Sequence, residues 1–95
     1  MITMDDLISL AELELTNAIV HPDRYNVSMR RMYLDDLMKY TDYSIMLANY
    51  KRLRSEHFRV YPNDTQTLFQ YDTFIMRLDA FCMYTVDGIT NSKSH

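Results

Sequence analysis

Glycine is nearly absent from this chain, since Gly88 is the single one among 95 residues. Loops that bind phosphate groups through their backbone need several glycines, so the sequence excludes a P-loop and a dinucleotide-binding fingerprint. Tight β-hairpins also favour glycine at positive φ, so a hairpin-rich sheet is disfavoured. The two prolines, Pro22 and Pro62, are the other strong breakers of secondary structure.

Cysteine is equally scarce. Cys82 has no second cysteine to pair with, which excludes an internal disulfide, and its neighbours Phe81 and Met83 favour a buried thiol. The N-terminal residues lack the basic region of a signal peptide, and no apolar run approaches the ~20 residues that span a bilayer. We therefore expect a cytoplasmic protein without membrane contact.

The composition is that of a globular chain, with 47% hydrophobic and 24% charged residues. Its length predicts one domain over residues 1–95. The net charge of −3 argues against a general binder of polyanions, which usually carries a basic surface.

The first helix is predicted over residues 4–20. Thr3 is an N-cap residue type, and Asp5 and Asp6 lie in the first turn, where carboxylates complement the helix dipole. Apolar residues recur at three-and-four spacing, and Pro22 disfavours helical geometry at His21.

The stretch 28–59 contains neither glycine nor proline and predicts either one long helix or two. We favour the unbroken helix because no strong breaker is present. The alternative is a break at Thr41 and Asp42, which are both acceptable N-cap residues.

The last helix is predicted over residues 64–87, with Gly88 as a left-handed residue after its end and a polar tail over 90–95. Its main apolar stripe contains Leu68, Tyr71, Ile75, Leu78, Cys82 and Val86. The fold class is therefore all-α, a small helical bundle of three long or four shorter helices without a β-sheet.

Catalytic and metal-binding patterns are missing from the sequence. The three histidines, His21, His57 and His95, lie far apart, and none has a ligand-type residue at helical spacing that would favour metal binding. No serine or threonine lies in a context that would activate its hydroxyl. We expect no catalytic residues, no metal, no cofactor and no enzyme activity.

One segment is basic: Lys51, Arg52, Arg54 and Arg59 lie close together near two tyrosines. Such residues can bind phosphates and stack on bases, so a nucleic-acid-binding regulator is one hypothesis. The simpler interpretation is a solvated basic turn that complements the C-terminal end of a helix dipole.

Tyrosine and methionine are abundant, with eight residues of each. Both are common at protein interfaces, and together they exceed what a small helical core can bury. If residues 28–59 form one helix, part of its apolar face lacks an internal cover, which predicts a protein interface and a homodimer through that face. The candidate interface residues are Tyr33, Tyr40, Tyr43, Leu47 and Tyr50.

In its size, its lack of catalytic motifs and its richness in tyrosine and methionine, the chain resembles small phage-encoded proteins that bind and disable host proteins, anti-CRISPR proteins among them. The resemblance implies a non-enzymatic interaction module of phage or mobile-element origin that inhibits or occludes a host protein in the host cytoplasm. The alternatives are the nucleic-acid-binding regulator and a structural homo-oligomer.

Overall fold

The structure, a computed structural model, describes the backbone of residues 2–94 and the side chains of residues 2–83. Within this range the chain is all-α and contains no strand, which confirms the predicted fold class in its four-helix form. The helices are α1 (Met4–Val20), α2 (Val27–Lys39), α3 (Tyr43–Val60) and α4 (Thr65–Ser94).

The start of α1 is fixed by the predicted cap. The Asp6 backbone N–H donates to the Thr3 hydroxyl at 3.1 Å, and the Thr3 N–H donates to the Asp6 carboxylate at 2.9 Å. This reciprocal capping box satisfies two of the N–H groups that a helix start leaves without partners. The helix ends at Val20, two residues before Pro22.

The favoured prediction of one unbroken helix over residues 28–59 is wrong, and the alternative break at Thr41 and Asp42 is confirmed. Tyr40 and Asp42 have extended backbone, with ψ angles of 135° and 105°. Asp42 caps α3, because its carboxylate accepts the Ser44 backbone N–H at 2.9 Å. A capping residue therefore ends the helical path where no glycine or proline is present.

The predicted end of the last helix is also wrong. The helix α4 continues through Gly88 to Ser94, and no glycine has a positive φ among the residues that the structure describes. Glycine within a helix costs only about 1 kcal/mol relative to alanine, and no proline follows it to end the helix. Of the predicted polar tail, His95 lies outside the described residues.

The helices form two compact units, each made of neighbours in sequence. The first helix pair, Ile2–Thr41, contains α1 and α2. Its Arg30 is buried and donates to the backbone carbonyl of Glu14 at 2.7 Å, while its guanidinium lies 4.1 Å from the centre of the Tyr25 ring. The buried apolar residues are Leu7, Ala11, Ala18, Met29, Tyr33 and Leu37. The prediction of a single domain over residues 1–95 stays a prediction.

The second helix pair, Asp42–His95, contains α3 and α4. Aromatic rings connect the two helices: Tyr43 lies 5.3 Å from Phe81, and Tyr50 lies 6.2 Å from Phe74, between ring centroids. The beginning of α3 thus lies beside a late part of α4, so the two helices run antiparallel. The buried apolar residues are Tyr43, Met46, Leu47, Tyr50, Leu68, Phe74 and Leu78.

Candidate functional site

Most residues of the predicted interface are in the interior. Tyr33, Tyr43, Leu47 and Tyr50 are buried, and Tyr40 is half-buried. The predicted interface needed one continuous helix, but the break after Lys39 places Tyr33 on α2, Tyr40 in the connection and the other three residues on α3. A partner cannot contact buried side chains, so the argument for a homodimer through this face no longer holds.

The basic segment on α3 is partly neutralised by carboxylates. Arg52 forms an ion pair with Glu56 at 2.9 Å, and Arg54 forms one with Asp72 of α4 at 3.1 Å. Lys51 and Arg59 are exposed and have no ion pair with the side chains that the structure describes. Two of the four predicted cations therefore have no ion pair in the described part of the chain.

A polar and aromatic cluster lies at the turn between α3 and α4. The His57 Nε2 atom lies 2.9 Å from the Asp64 carboxylate, and the Asp64 carboxylate also accepts the Thr67 backbone N–H at 3.3 Å. The hydrogen bond to His57, followed by those to Thr67, lowers the pKa of Asp64. The His57 ring packs against Tyr61 and Tyr71, at centroid distances of 5.2 and 6.1 Å.

These contacts fix the turn and the start of α4. Burial, together with the negative charge of Glu56, raises the pKa of Tyr71. From the sequence, His57 was considered as a metal ligand, and Asp64 was not identified as its partner. The sequence signal that could have revealed this contact is the position of His57 and Asp64, seven residues apart, on either side of the turn that contains Pro62.

Metal binding has no geometric support in the described residues, among which no group of three His, Cys, Asp or Glu side chains lies close enough to hold an ion. Cys82 is half-buried, and burial, with the charges of Asp42 and Asp79, raises the pKa of its thiol. A protonated thiol is a poor nucleophile and a poor metal ligand.

The most distinctive surface of the second helix pair is a row of large apolar side chains on α4. Phe69, Met76 and Met83 are 71%, 67% and 54% exposed. Seven residues correspond to nearly two helical turns, so side chains at this spacing lie almost in line along the helix. The row extends over about 21 Å, at 1.5 Å per residue.

Two carboxylates lie within this row. Asp72 and Asp79 are exposed and follow Phe69 and Met76 by three residues each, which places them on the same side of α4. We call these five residues, Phe69, Asp72, Met76, Asp79 and Met83, the α4 seam. It lies beside the predicted apolar stripe of α4, in which Leu68 and Leu78 are buried.

One edge of the α4 seam contacts α3. Asp72 forms its ion pair with Arg54, whose guanidinium lies 5.5 Å from the centre of the Phe58 ring, and Phe58 is itself exposed. Asp79 has no ion pair with a side chain in the described part of the chain. The seam therefore combines aromatic, thioether and acidic groups, with one carboxylate still available for a cation.

Other surfaces are less distinctive. On α1, Leu13 and Val20 are exposed seven residues apart, but aliphatic residues are less characteristic of interfaces than Phe and Met. A shallow, open depression lies along α2 between Val27 and Lys39 and is lined by that helix alone. Sites for small molecules are usually enclosed, so this depression does not indicate one.

Comparisons of the chain with protein-family models, with curated proteins and with solved structures found no match. In the part of the chain that the structure describes, none of the helices combines enough length and apolar character to cross a bilayer.

Proposed function

We propose that this protein is a small non-enzymatic module that binds and occludes a host protein, that it comes from a phage or mobile element, and that it acts in the host cytoplasm. The observation that carries the proposal is the exposure of Phe69, Met76 and Met83 in one row of α4. Size and composition, which resemble those of phage-encoded inhibitors, support the suggested origin.

The energetics of this row favour contact with a protein. Burying the exposed parts of a Phe or Met side chain contributes roughly 1–2 kcal/mol, so three such residues supply a substantial part of a micromolar affinity. Phe, Met and Arg are enriched in interfaces, and Phe58 and Arg54 lie at the edge of the row. A helix presents these side chains in a fixed order, which lowers the entropy lost on binding.

The nucleic-acid-binding alternative has weaker support. Arg52 and Arg54 form ion pairs with Glu56 and Asp72, so among the four cations of the basic segment Lys51 and Arg59 are the two without such pairs to the described side chains. Two contacts to phosphate give low affinity at physiological salt. A net charge of −3 adds long-range repulsion.

The test is capture of a partner from bacterial lysate by the tagged full chain, compared with two variants. Phe69→Glu combined with Met76→Glu places charges in the apolar row. Ile45→Glu is the matched control, because Ile45 is 58% exposed on α3 and lies outside the α4 seam. We expect the double variant to lose the captured protein and the control to retain it, with helicity unchanged in both.

Equal capture by all three proteins would contradict the proposal. A parallel titration with duplex DNA and with RNA separates the nucleic-acid alternative. Submicromolar binding that weakens steeply with salt, and that Lys51→Gln with Arg59→Gln abolishes, would favour that alternative over protein binding.

A further inference from the structure

We infer that the occupant of the α4 seam is a positively charged amphipathic helix of the partner, with Lys or Arg residues between apolar residues at three-and-four spacing. This inference rests on the proposed function and specifies the chemistry of the partner. Its observation is the alternation of large apolar and acidic side chains along one exposed face of α4.

The spacing of the seam fits a helix better than an extended chain. From Phe69 to Met83 the members follow one another at intervals of three, four, three and four residues. Helices that pack along each other meet through residues at this spacing, because seven residues make nearly two turns. A partner helix of about 15 residues, at 1.5 Å per residue, matches the length of the seam.

The charges of the seam define the charge of the partner. A helix with only apolar residues would remove Asp72 and Asp79 from water without supplying a hydrogen-bond donor, which is unfavourable. Lys or Arg residues opposite these positions provide that donor. The need for a cation from the partner is greatest at Asp79, which has no ion pair among the side chains described. Asp72 already forms an ion pair with Arg54.

A second copy of this chain does not meet the same requirement. In a parallel arrangement of two seams, Asp72 and Asp79 would face their own counterparts. In an antiparallel arrangement, each carboxylate would face a Phe or Met side chain, again without a cation. The α4 seam therefore favours a basic partner over self-association.

The experiment uses two synthetic helical peptides of about 21 residues, a length that extends slightly beyond the seam at both ends. Both carry leucine at seven-residue spacing, and they differ only in having lysine or glutamate three residues after each leucine. Each labelled peptide is titrated with the full chain and followed by fluorescence anisotropy. We expect the lysine peptide to bind at least about ten-fold more tightly at low salt, because charge-assisted pairs replace like-charge contacts.

Two variants assign this preference to the seam. Asp72→Asn with Asp79→Asn keeps the shape of the seam and removes its charge, so the preference should fall below about three-fold. Glu12→Gln with Asp35→Asn is the matched control, because both residues are exposed on the first helix pair, and it should leave the preference unchanged.

Three results would overturn the inference. The first is equal binding of the two peptides, which leaves the proposed function intact if the apolar row is still required. The second is binding of neither peptide below a Kd of about 1 mM. The third is a dimer of the chain alone that Met76→Glu dissociates, because a second copy would then occupy the seam. The proposed function itself fails if partner capture is insensitive to the apolar row.

Discussion

At the scale of single residues, two phenylalanines of α4 that are only five positions apart differ completely in their exposure to solvent. Phe74 is fully buried against Tyr50, and Phe69 is mostly exposed in the α4 seam. Phe74→Ala should lower the free energy of unfolding by about 3–5 kcal/mol, because it removes buried surface and leaves a cavity. Phe69→Ala should change it by less than about 0.5 kcal/mol. Urea unfolding measures both, and similar losses would contradict the assigned environments.

Arg30 and Arg31 are a second pair of neighbours with different environments. Arg30 is buried and donates to the Glu14 carbonyl, whereas Arg31 is exposed. Lysine keeps the charge but cannot reproduce the planar contacts of the guanidinium with both the carbonyl and the Tyr25 ring. We expect Arg30→Lys to lower the free energy of unfolding by about 1–3 kcal/mol and Arg31→Lys to leave it nearly unchanged. An equal effect of the two changes in thermal unfolding would contradict this assignment.

At the scale of helices, three aspartates stabilise helix starts in their ionised form. The pKa of Asp6 is lowered by hydrogen bonds from Thr3, that of Asp42 by hydrogen bonds from Ser44, and that of Asp64 by those from His57 and Thr67. A carboxyl group with a lowered pKa in the folded chain stabilises that chain above its ordinary pKa of 3.8. This stabilisation is lost as the pH falls from there through the lowered values.

We therefore expect the midpoint of thermal unfolding to fall as the pH is lowered below about 4. Replacing the three aspartates together, by Asp6→Asn, Asp42→Asn and Asp64→Asn, keeps an oxygen acceptor at each position but removes the titration. The midpoint of thermal unfolding of the triple variant should depend less steeply on pH in this range. An unchanged slope would show that other groups cause the acid sensitivity.

The helix starts were the most predictable part of the fold. Thr3 predicted the start of α1, and Pro62 predicted the turn before α4, because caps and prolines act through their immediate neighbours. The break at Asp42 was harder to predict, since aspartate is also tolerated on the surface of a continuous helix. Its role as the N-cap of α3 is visible only from its hydrogen bond with Ser44 in the structure. The continuation of α4 past Gly88 was missed because glycine ends helices often but not always.

The α4 seam was not predicted, although its signal is in the sequence. Apolar residues lie on two faces of α4, and periodicity alone does not tell which face is buried. The face containing Leu68 and Leu78 is buried, while Phe69 and Met76 remain exposed. The tyrosines were assigned to an interface for their amphipathic character, but the packing of Tyr50 against Phe74 shows that they also form core contacts.

At the scale of the whole molecule, charge is unevenly distributed. The first helix pair contains seven acidic and four basic residues, and the second contains six of each. Although acidic and basic residues are equal in number in the second helix pair, its α4 seam carries Asp72 and Asp79, and a second copy of the seam offers them no cation. We therefore expect the chain to remain a monomer of 11.4 kDa. Sedimentation equilibrium at about 100 μM, where a micromolar dimer would be nearly complete, measures this mass. A mass near twice this value would contradict the expectation.

The pairing of each helix with its neighbour in sequence also has a kinetic consequence. Because α1 contacts α2 and α3 contacts α4 across short connections, few loops must close before stabilising contacts form. Helical chains with such local contacts fold within microseconds to milliseconds. We expect refolding from urea, followed by far-ultraviolet circular dichroism, to be nearly complete within the mixing time of a stopped-flow instrument. A dominant phase slower than about 1 s would be inconsistent with helix pairs that form from sequence neighbours.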